Sequence, residues 1–101
     1  MVSLDPTRGR EQRGHRPVLI ISPDAFNAAT GLPIVLPITN GGNFARRIGF
    51  AVEIIGIETT GLIRCDQPRV IDIVERRGRK IDVLPTALME EVLARVATLI
   101  E

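Results

Sequence analysis

Apolar and polar positions change rhythm several times along this chain, and the rhythm predicts a series of short strands closed by one helix. Gly61–Asp72 opens on strict alternation. Strand side chains repeat with period two, so Leu62, Arg64 and Asp66 share one face and Ile63 and Cys65 the other. The second face reads as core. The first carries a cation and a carboxylate at the strand end, just before Gln67-Pro68 interrupts the ladder. Pro17–Ser22 is an apolar run that fits a buried strand. Leu32–Thr39 reads as strand too, with Pro33 and Pro37 arguing for an edge or a bend. Ile48, Phe50, Val52 and Ile54 alternate against Gly49, Ala51 and Glu53, as in a half-buried strand. Shorter strands are expected at Met1–Leu4, Arg69–Val74 and Ile81–Leu84, and Pro23–Gly31 reads as a loop with about one helical turn.

Only the C-terminus has a clear helical period. Pro85-Thr86 begin it, and Leu88, Val92, Val96 and Leu99, with Met89, Leu93 and Ile100, recur at steps of three and four. Glu90 and Glu91 are expected in the first turns, where the helix dipole favours negative charge. Packing on the sheet is the better reading of the apolar stripe, with a partner-binding role secondary. Between these elements lie two glycine-containing basic loops, Thr7–Arg16 and Asn40–Arg47, and a charged turn around Gly78. The whole is mainly β: a small β-barrel or curled sheet with a C-terminal helix against it, in a single domain over residues 1–101.

Composition narrows the functional classes. A chain of 101 residues that is 45% hydrophobic and 25% charged can bury one core. The net charge of +1 does not by itself suggest nucleic acid. Of the 13 basic residues, however, only Lys80 is lysine, and arginine presents a planar fork that fits phosphate oxygens in pairs. A thermophilic or GC-rich source would enrich arginine equally well. Cys65 and His15 are each the only residue of their type, which excludes an internal disulfide and a histidine pair for acid–base work and leaves almost no room for a His/Cys zinc site. No cofactor motif is visible, and no apolar run is long enough to span a bilayer. The expectation is a soluble, cytoplasmic protein.

The residues able to do chemistry cluster in three places: Glu11, Arg13, His15 and Arg16 in the first loop; Thr39, Asn43, Arg46 and Arg47 around the second; Arg64 and Asp66 on the strand. RNA can be cleaved without a metal when its own 2′-hydroxyl attacks the neighbouring phosphate. That reaction needs a base for the hydroxyl, donors for the pentavalent phosphorane and an acid for the leaving 5′-oxygen. A carboxylate with several arginines can supply these roles, although arginine is a better charge stabiliser than proton donor. The alternative is an ion-pair network at Arg64 and Asp66 and solvated loops elsewhere, with His15 an ordinary surface residue.

At this level of detail the sequence resembles the MazF/PemK family of type II toxin endoribonucleases, most closely its PemK (Kid) branch. The matching segments are Val2-Ser-Leu-Asp-Pro-Thr, Glu11-Gln-Arg-Gly-His-Arg-Pro-Val-Leu-Ile, Pro37-Ile-Thr-Asn-Gly-Gly-Asn-Phe-Ala-Arg, Gly49-Phe-Ala-Val, Thr59-Thr-Gly-Leu-Ile-Arg-Cys-Asp-Gln-Pro-Arg-Val-Ile-Asp and the Met89-Glu-Glu-Val-Leu-Ala-Arg helix. The resemblance implies the small SH3-like barrel of the CcdB/MazF toxins and a homodimer with single-stranded RNA along the dimer groove. It also implies metal-independent, sequence-specific cleavage leaving 2′,3′-cyclic phosphate and 5′-hydroxyl ends, which arrests translation. A cognate antitoxin would place its C-terminal segment in that groove, with operator DNA reached only through the antitoxin complex.

Carried over by position, Asp66 matches the carboxylate assigned as base in the PemK branch, and Arg64 the arginine assigned as acid or phosphate stabiliser. Arg16 and Thr39 match an arginine and threonine treated as catalytic on the MazF side, and Glu11 a loop glutamate. Asn43, Arg46 and Phe50 fall where relatives contact RNA, and Arg10, Gln12, His15, Gln67 and Arg69 complete the expected RNA-binding set. Two departures stand out. The PemK branch has a histidine immediately before its Glu-Gln pair, where this chain has Arg10. Relatives also begin with about one more half-strand, carrying an Arg-Gly-acidic-Ile-Trp pattern, before the segment matching Val2. Both departures favour an alternative reading: a catalytically impaired member kept as an antitoxin or operator-complex binding module. A gyrase poison, as in the CcdB relatives, would leave the Glu-Gln-x-Gly-x-Arg-Pro and Arg-x-Asp matches unexplained.

Overall fold

In a computed structural model of the chain, residues 1–4, 16–40, 47–75 and 78–100 are described, the side chains of residues 3 and 4 excepted. The elements run β1 (Val2–Leu4), β2 (Arg16–Ile20), α1 (Asp24–Thr30), β3 (Ile34–Thr39), β4 (Ala51–Glu53), β5 (Leu62–Arg64), β6 (Arg69–Val70), β7 (Arg79–Lys80) and α2 (Thr86–Ala97). All strand pairings among the described residues are antiparallel, along the path β4-β5-β3-β2-β1-β7. Among the described residues the sheet curls but does not close, since β4 and β7 end the path without pairing to each other. The mainly β fold with a C-terminal helix is as expected, in the curled-sheet form of the two forms expected.

β3 is the centre of this sheet. One of its edges pairs with β2. The other pairs with β6 through Ile34 and Val35, then with β5 through Ile38 and Thr39. A central strand containing Pro37 contradicts the expectation of an edge, and the pairing explains it. Pro37 falls where the outer edge passes from β6 to β5, so its missing N–H breaks neither ladder.

Strand alternation divides the apolar residues between two layers. Leu19, Leu36, Ile38, Val52, Ile63 and Cys65 are buried on one side with Val92 of α2, and Leu88, Met89 and Val96 pack against them. Val2, Val18 and Val35 are buried on the other side, beneath Ile20, Ile71 and Ile73. The stripe of α2 is therefore split, because Leu93, Leu99 and Ile100 remain exposed. The first turn of α2 holds no acidic residue; Glu91 lies in the second turn, where it pairs with Arg95. No helix among the described residues is long and apolar enough to cross a membrane.

Four local expectations are corrected. Residues 24–30 form a full helix, preceded by Pro23 and ended by Gly31 at φ 68°, a left-handed conformation that glycine adopts without a Cβ penalty. The strand expected over Ile48–Ile54 contracts to β4, because Gly49 turns the chain at φ 86°. The Arg69–Val74 strand contracts to β6. The closing strand is β7, which pairs with β1, and Ile81–Leu84 contributes only single contacts such as the Ile81 amide to the Met1 carbonyl.

Candidate RNA-cleaving site

Leu62 and Ile63 of β5 are held from both sides, by β3 and by β4, and Arg64 by β4, with Ala51 opposite Arg64 and Val52 opposite Ile63. Gly61 makes the entry possible. A Cβ there would stand 2.9 Å from Ile38 Cγ2 and 3.0 Å from the Thr39 carbonyl oxygen, and its φ of 133° is itself one that side chains rarely adopt. At the exit, the Cys65 amide donates to the Phe50 carbonyl (2.8 Å) and the Gln67 amide to the Arg64 carbonyl (3.2 Å), so the chain turns at once. Ile63 and Cys65 face the core, as alternation requires.

On the opposite face Arg64 and Asp66 meet as a fork. Arg64 Nε donates to Asp66 Oδ1 (3.0 Å) and Arg64 Nη2 to Asp66 Oδ2 (2.8 Å). Their side chains keep 18% and 25% of their exposure, so a bound phosphate could reach them while the pair stays ordered. The hydrogen bonds from Arg64 hold the Asp66 carboxyl below its ordinary value, against an opposing desolvation effect. The same contact raises Arg64 above its own ordinary value. This pair is thus an anionic carboxylate and a cation that does not release its proton, held in bidentate geometry. Cys65, between them in sequence, is inert: burial pushes its thiol up to about 11.

Registers across the sheet gather further residues on this face. Val18 lies opposite Pro37, so by alternation Arg16 and Thr39 fall on that same face, and Thr39 lies opposite Leu62. Residues opposite one another share a face and alternate residues of one strand do too, so Arg16, Val18, Pro37, Thr39, Leu62, Arg64, Ala51 and Glu53 lie on one face of the sheet. Arg16 is exposed and Thr39 half-buried. Leu62 and Ala51 are buried against each other as a small apolar patch within this face. Glu53 joins the site residues through this register. Alternation put it on the polar side of its strand, but only the pairing of β4 with β5 brings it beside them.

The remaining candidates divide. Phe50 is half-buried, and its carbonyl anchors the end of β5. Gln67 and Arg69 lead away from the fork; Arg69 Nη2 donates to Gln67 Oε1 (3.3 Å), and Arg69 lies opposite Val35. Arg10, Glu11, Gln12, His15, Asn43 and Arg46 lie outside the described residues.

Comparison with known proteins agrees with this architecture. Residues 1–100 match the family of PemK-like, MazF-like toxins of type II toxin–antitoxin systems. The chain is 56% identical over 102 residues to Endoribonuclease PemK of Escherichia coli, covering 99% of this chain and 77% of that protein. It is 38% identical over 104 residues to Endoribonuclease toxin ChpB of the K12 strain, covering 100% and 89%. Among solved structures, MazF in a MazE–MazF complex from Deinococcus radiodurans superposes with a TM-score of 0.84 at 28% identity, covering 97% of this chain and 89% of that one. A crystal structure of MazF from the same organism gives 0.78 at 31%, with the same coverage.

Proposed function

This chain belongs to the PemK-like, MazF-like toxins of type II toxin–antitoxin systems, and from that membership we propose how its sheet performs the endoribonuclease activity for which its relatives are named. The observation that carries the assignment is the Arg64–Asp66 fork, on the face that also bears Arg16 and Thr39. Asp66 takes the proton of the ribose 2′-hydroxyl. The freed oxygen attacks the adjacent phosphorus, the P–O bond to the 5′-oxygen breaks, and the departing oxygen takes up a proton from water, leaving a 2′,3′-cyclic phosphate and a 5′-hydroxyl. Arg64 stabilises the charge on the phosphorane; its raised pKa suits it to that role rather than to general acid. In the free protein Arg64 holds Asp66 too acidic for a strong base. A substrate phosphate that draws the guanidinium towards itself returns basicity to the carboxylate where the 2′-hydroxyl arrives. Arg16 offers a second phosphate contact and Thr39 a hydroxyl beside it.

The substrate is single-stranded RNA, and the partner a cognate antitoxin whose C-terminal segment covers the same face. Solved MazE–MazF complexes support an antitoxin as the partner, and the endoribonuclease names of the relatives support RNA as the substrate. The acting form is a homodimer in the cytoplasm, with Phe50 stacking a base, Glu11 acting with the catalytic groups, and Arg10, Gln12, His15, Asn43 and Arg46 contacting RNA.

The test is incubation of the purified protein with mixed single-stranded RNA in EDTA, followed by mapping of product ends. Discrete cuts with 2′,3′-cyclic phosphate ends are expected from the parent and not from Asp66→Asn or Arg64→Ala. Cleavage by either variant at the parent rate would sink the assignment of that residue. A folded parent that binds antitoxin but leaves RNA whole would instead be the binding module that Arg10 favours.

A further inference from the structure

The C-terminal helix reaches the site through one side chain. Arg95 follows Val92, the buried anchor of α2, by three residues, and so stands on the helix face turned towards the sheet. Its Nη2 donates to Glu91 Oε1 (2.8 Å), one turn back, which orients the guanidinium. Its Nη1 donates to the Gly49 carbonyl, across the gap between α2 and the chain entering β4. Its Nε is buried with no hydrogen-bond partner among the described residues. A buried donor left unpaired costs about 1–3 kcal/mol, so helix stability alone is a poor account of this placement.

Gly49 is where the chain turns, at φ 86°, and a Cβ there would stand 3.4 Å from Arg95 Nη1. Phe50 follows, and its carbonyl accepts the Cys65 amide; Ala51, next, lies opposite Arg64. The residues between Arg95 and the fork are thus contiguous: guanidinium, Gly49 carbonyl, Phe50 carbonyl, Cys65 amide, Arg64 and Asp66. The electrostatic surroundings of the Cys65 thiol likewise include Arg95, Asp66 and Glu91 together.

We propose that Arg95 is a positioning residue of this site: anchored on α2, it holds the Gly49 carbonyl and thereby the Phe50–Cys65 hydrogen bond that fixes the strand end bearing Arg64 and Asp66. The inference rests on the reading of Arg64 and Asp66 as the cleavage pair. A single ladder bond holds that strand end on its β4 side, and a shift of about 1 Å in catalytic groups can cost on the order of 100-fold in rate. The helix, otherwise a packing element, sets the geometry of a site to which it contributes no reacting group.

The experiment pairs amide hydrogen exchange on the free protein with cleavage kinetics, for Arg95→Met, Arg95→Lys and Asp66→Asn. In Arg95→Met the Cys65 amide is expected to exchange about 10-fold faster or more, while β2 and β3 amides keep parental protection. Its kcat should fall by roughly 10- to 100-fold with KM for RNA unchanged. Arg95→Lys, which keeps a donor for the Gly49 carbonyl, should recover part of both. Unchanged protection at Cys65, or equal acceleration throughout β2 and β3, would overturn the proposal, the second by showing only general loosening. Should Arg95→Met fail to fold, Arg95→Lys decides: intermediate Cys65 exchange supports the proposal, parental exchange with parental kcat defeats it. Cleavage by Asp66→Asn at the parent rate would remove the cleavage-pair reading while leaving the exchange result standing.

Discussion

At the scale of single residues, the fork between Arg64 and Asp66 sets a pH dependence whose sign can be worked out. The Asp66 carboxyl lies below its ordinary 3.8 in the free protein because Arg64 donates two hydrogen bonds to it. The acid limb of kcat/KM reports the free enzyme, and that of kcat the complex. On the proposed mechanism the substrate phosphate competes for Arg64 and adds negative charge beside the carboxylate, which would raise its pKa in the complex. The acid limb of kcat is therefore expected at higher pH than the limb of kcat/KM, and both should vanish in Asp66→Asn with a loss of about 100- to 10,000-fold in rate. Coincident limbs would mean that the fork stays closed during catalysis. The same lowered pKa adds stability above the unfolded carboxylate value, and that part is lost as pH falls through the folded value. Arg64→Ala should remove this acid-side dependence from a thermal unfolding series.

At the scale of elements, the site depends on how tightly β5 lies against β3, and Gly61 governs that distance. A methyl group there would press on Ile38 and on the Thr39 carbonyl at a φ of 133°, so Gly61→Ala should destabilise the fold by about 2–4 kcal/mol. For a chain of this size the corresponding drop in Tm is roughly 10 °C or more, measurable by calorimetry; a parental Tm would show that β3 and β5 can separate at no cost. Element identity was legible where local pattern decides it. Alternation assigned Ile63 and Cys65 to the core and Arg64 and Asp66 to the other face, and the step of three and four marked α2. What local pattern could not show is pairing. Pro37 reads as an edge residue because proline removes a ladder donor, yet it is central, since β3 changes partners there. The positions of Glu53 and Arg95 beside these residues were not legible for the same reason: each comes there through a contact distant in sequence, the β4–β5 register for one and the Gly49 carbonyl for the other. The Asp24–Thr30 helix was underestimated because it is short and buries no residue, so no apolar period announces it.

At the scale of the whole molecule, a net charge of +1 gives little long-range attraction for RNA, so cationic side chains must act where they stand. The sheet provides for this by alternation: one face presents Arg16 and Arg64, with the Asp66 carboxylate and the small Leu62–Ala51 patch beside Arg64. Binding by a few local phosphate contacts has a defined salt signature. Each contact on a single strand contributes about 0.7 to the slope of log affinity against log salt. The slope for this protein should correspond to a handful of contacts rather than the ten or so of a broadly basic DNA binder. Arg16→Ala should lower it by about 0.7 and weaken every RNA alike, because a phosphate contact carries no base information. Arg16 lies at the start of β2 and is exposed, so the substitution should leave Tm within about 1–2 °C of the parent. An unchanged slope with weakened binding would move Arg16 from the phosphate backbone to a base edge, and would show up as a change in which sequences are cut.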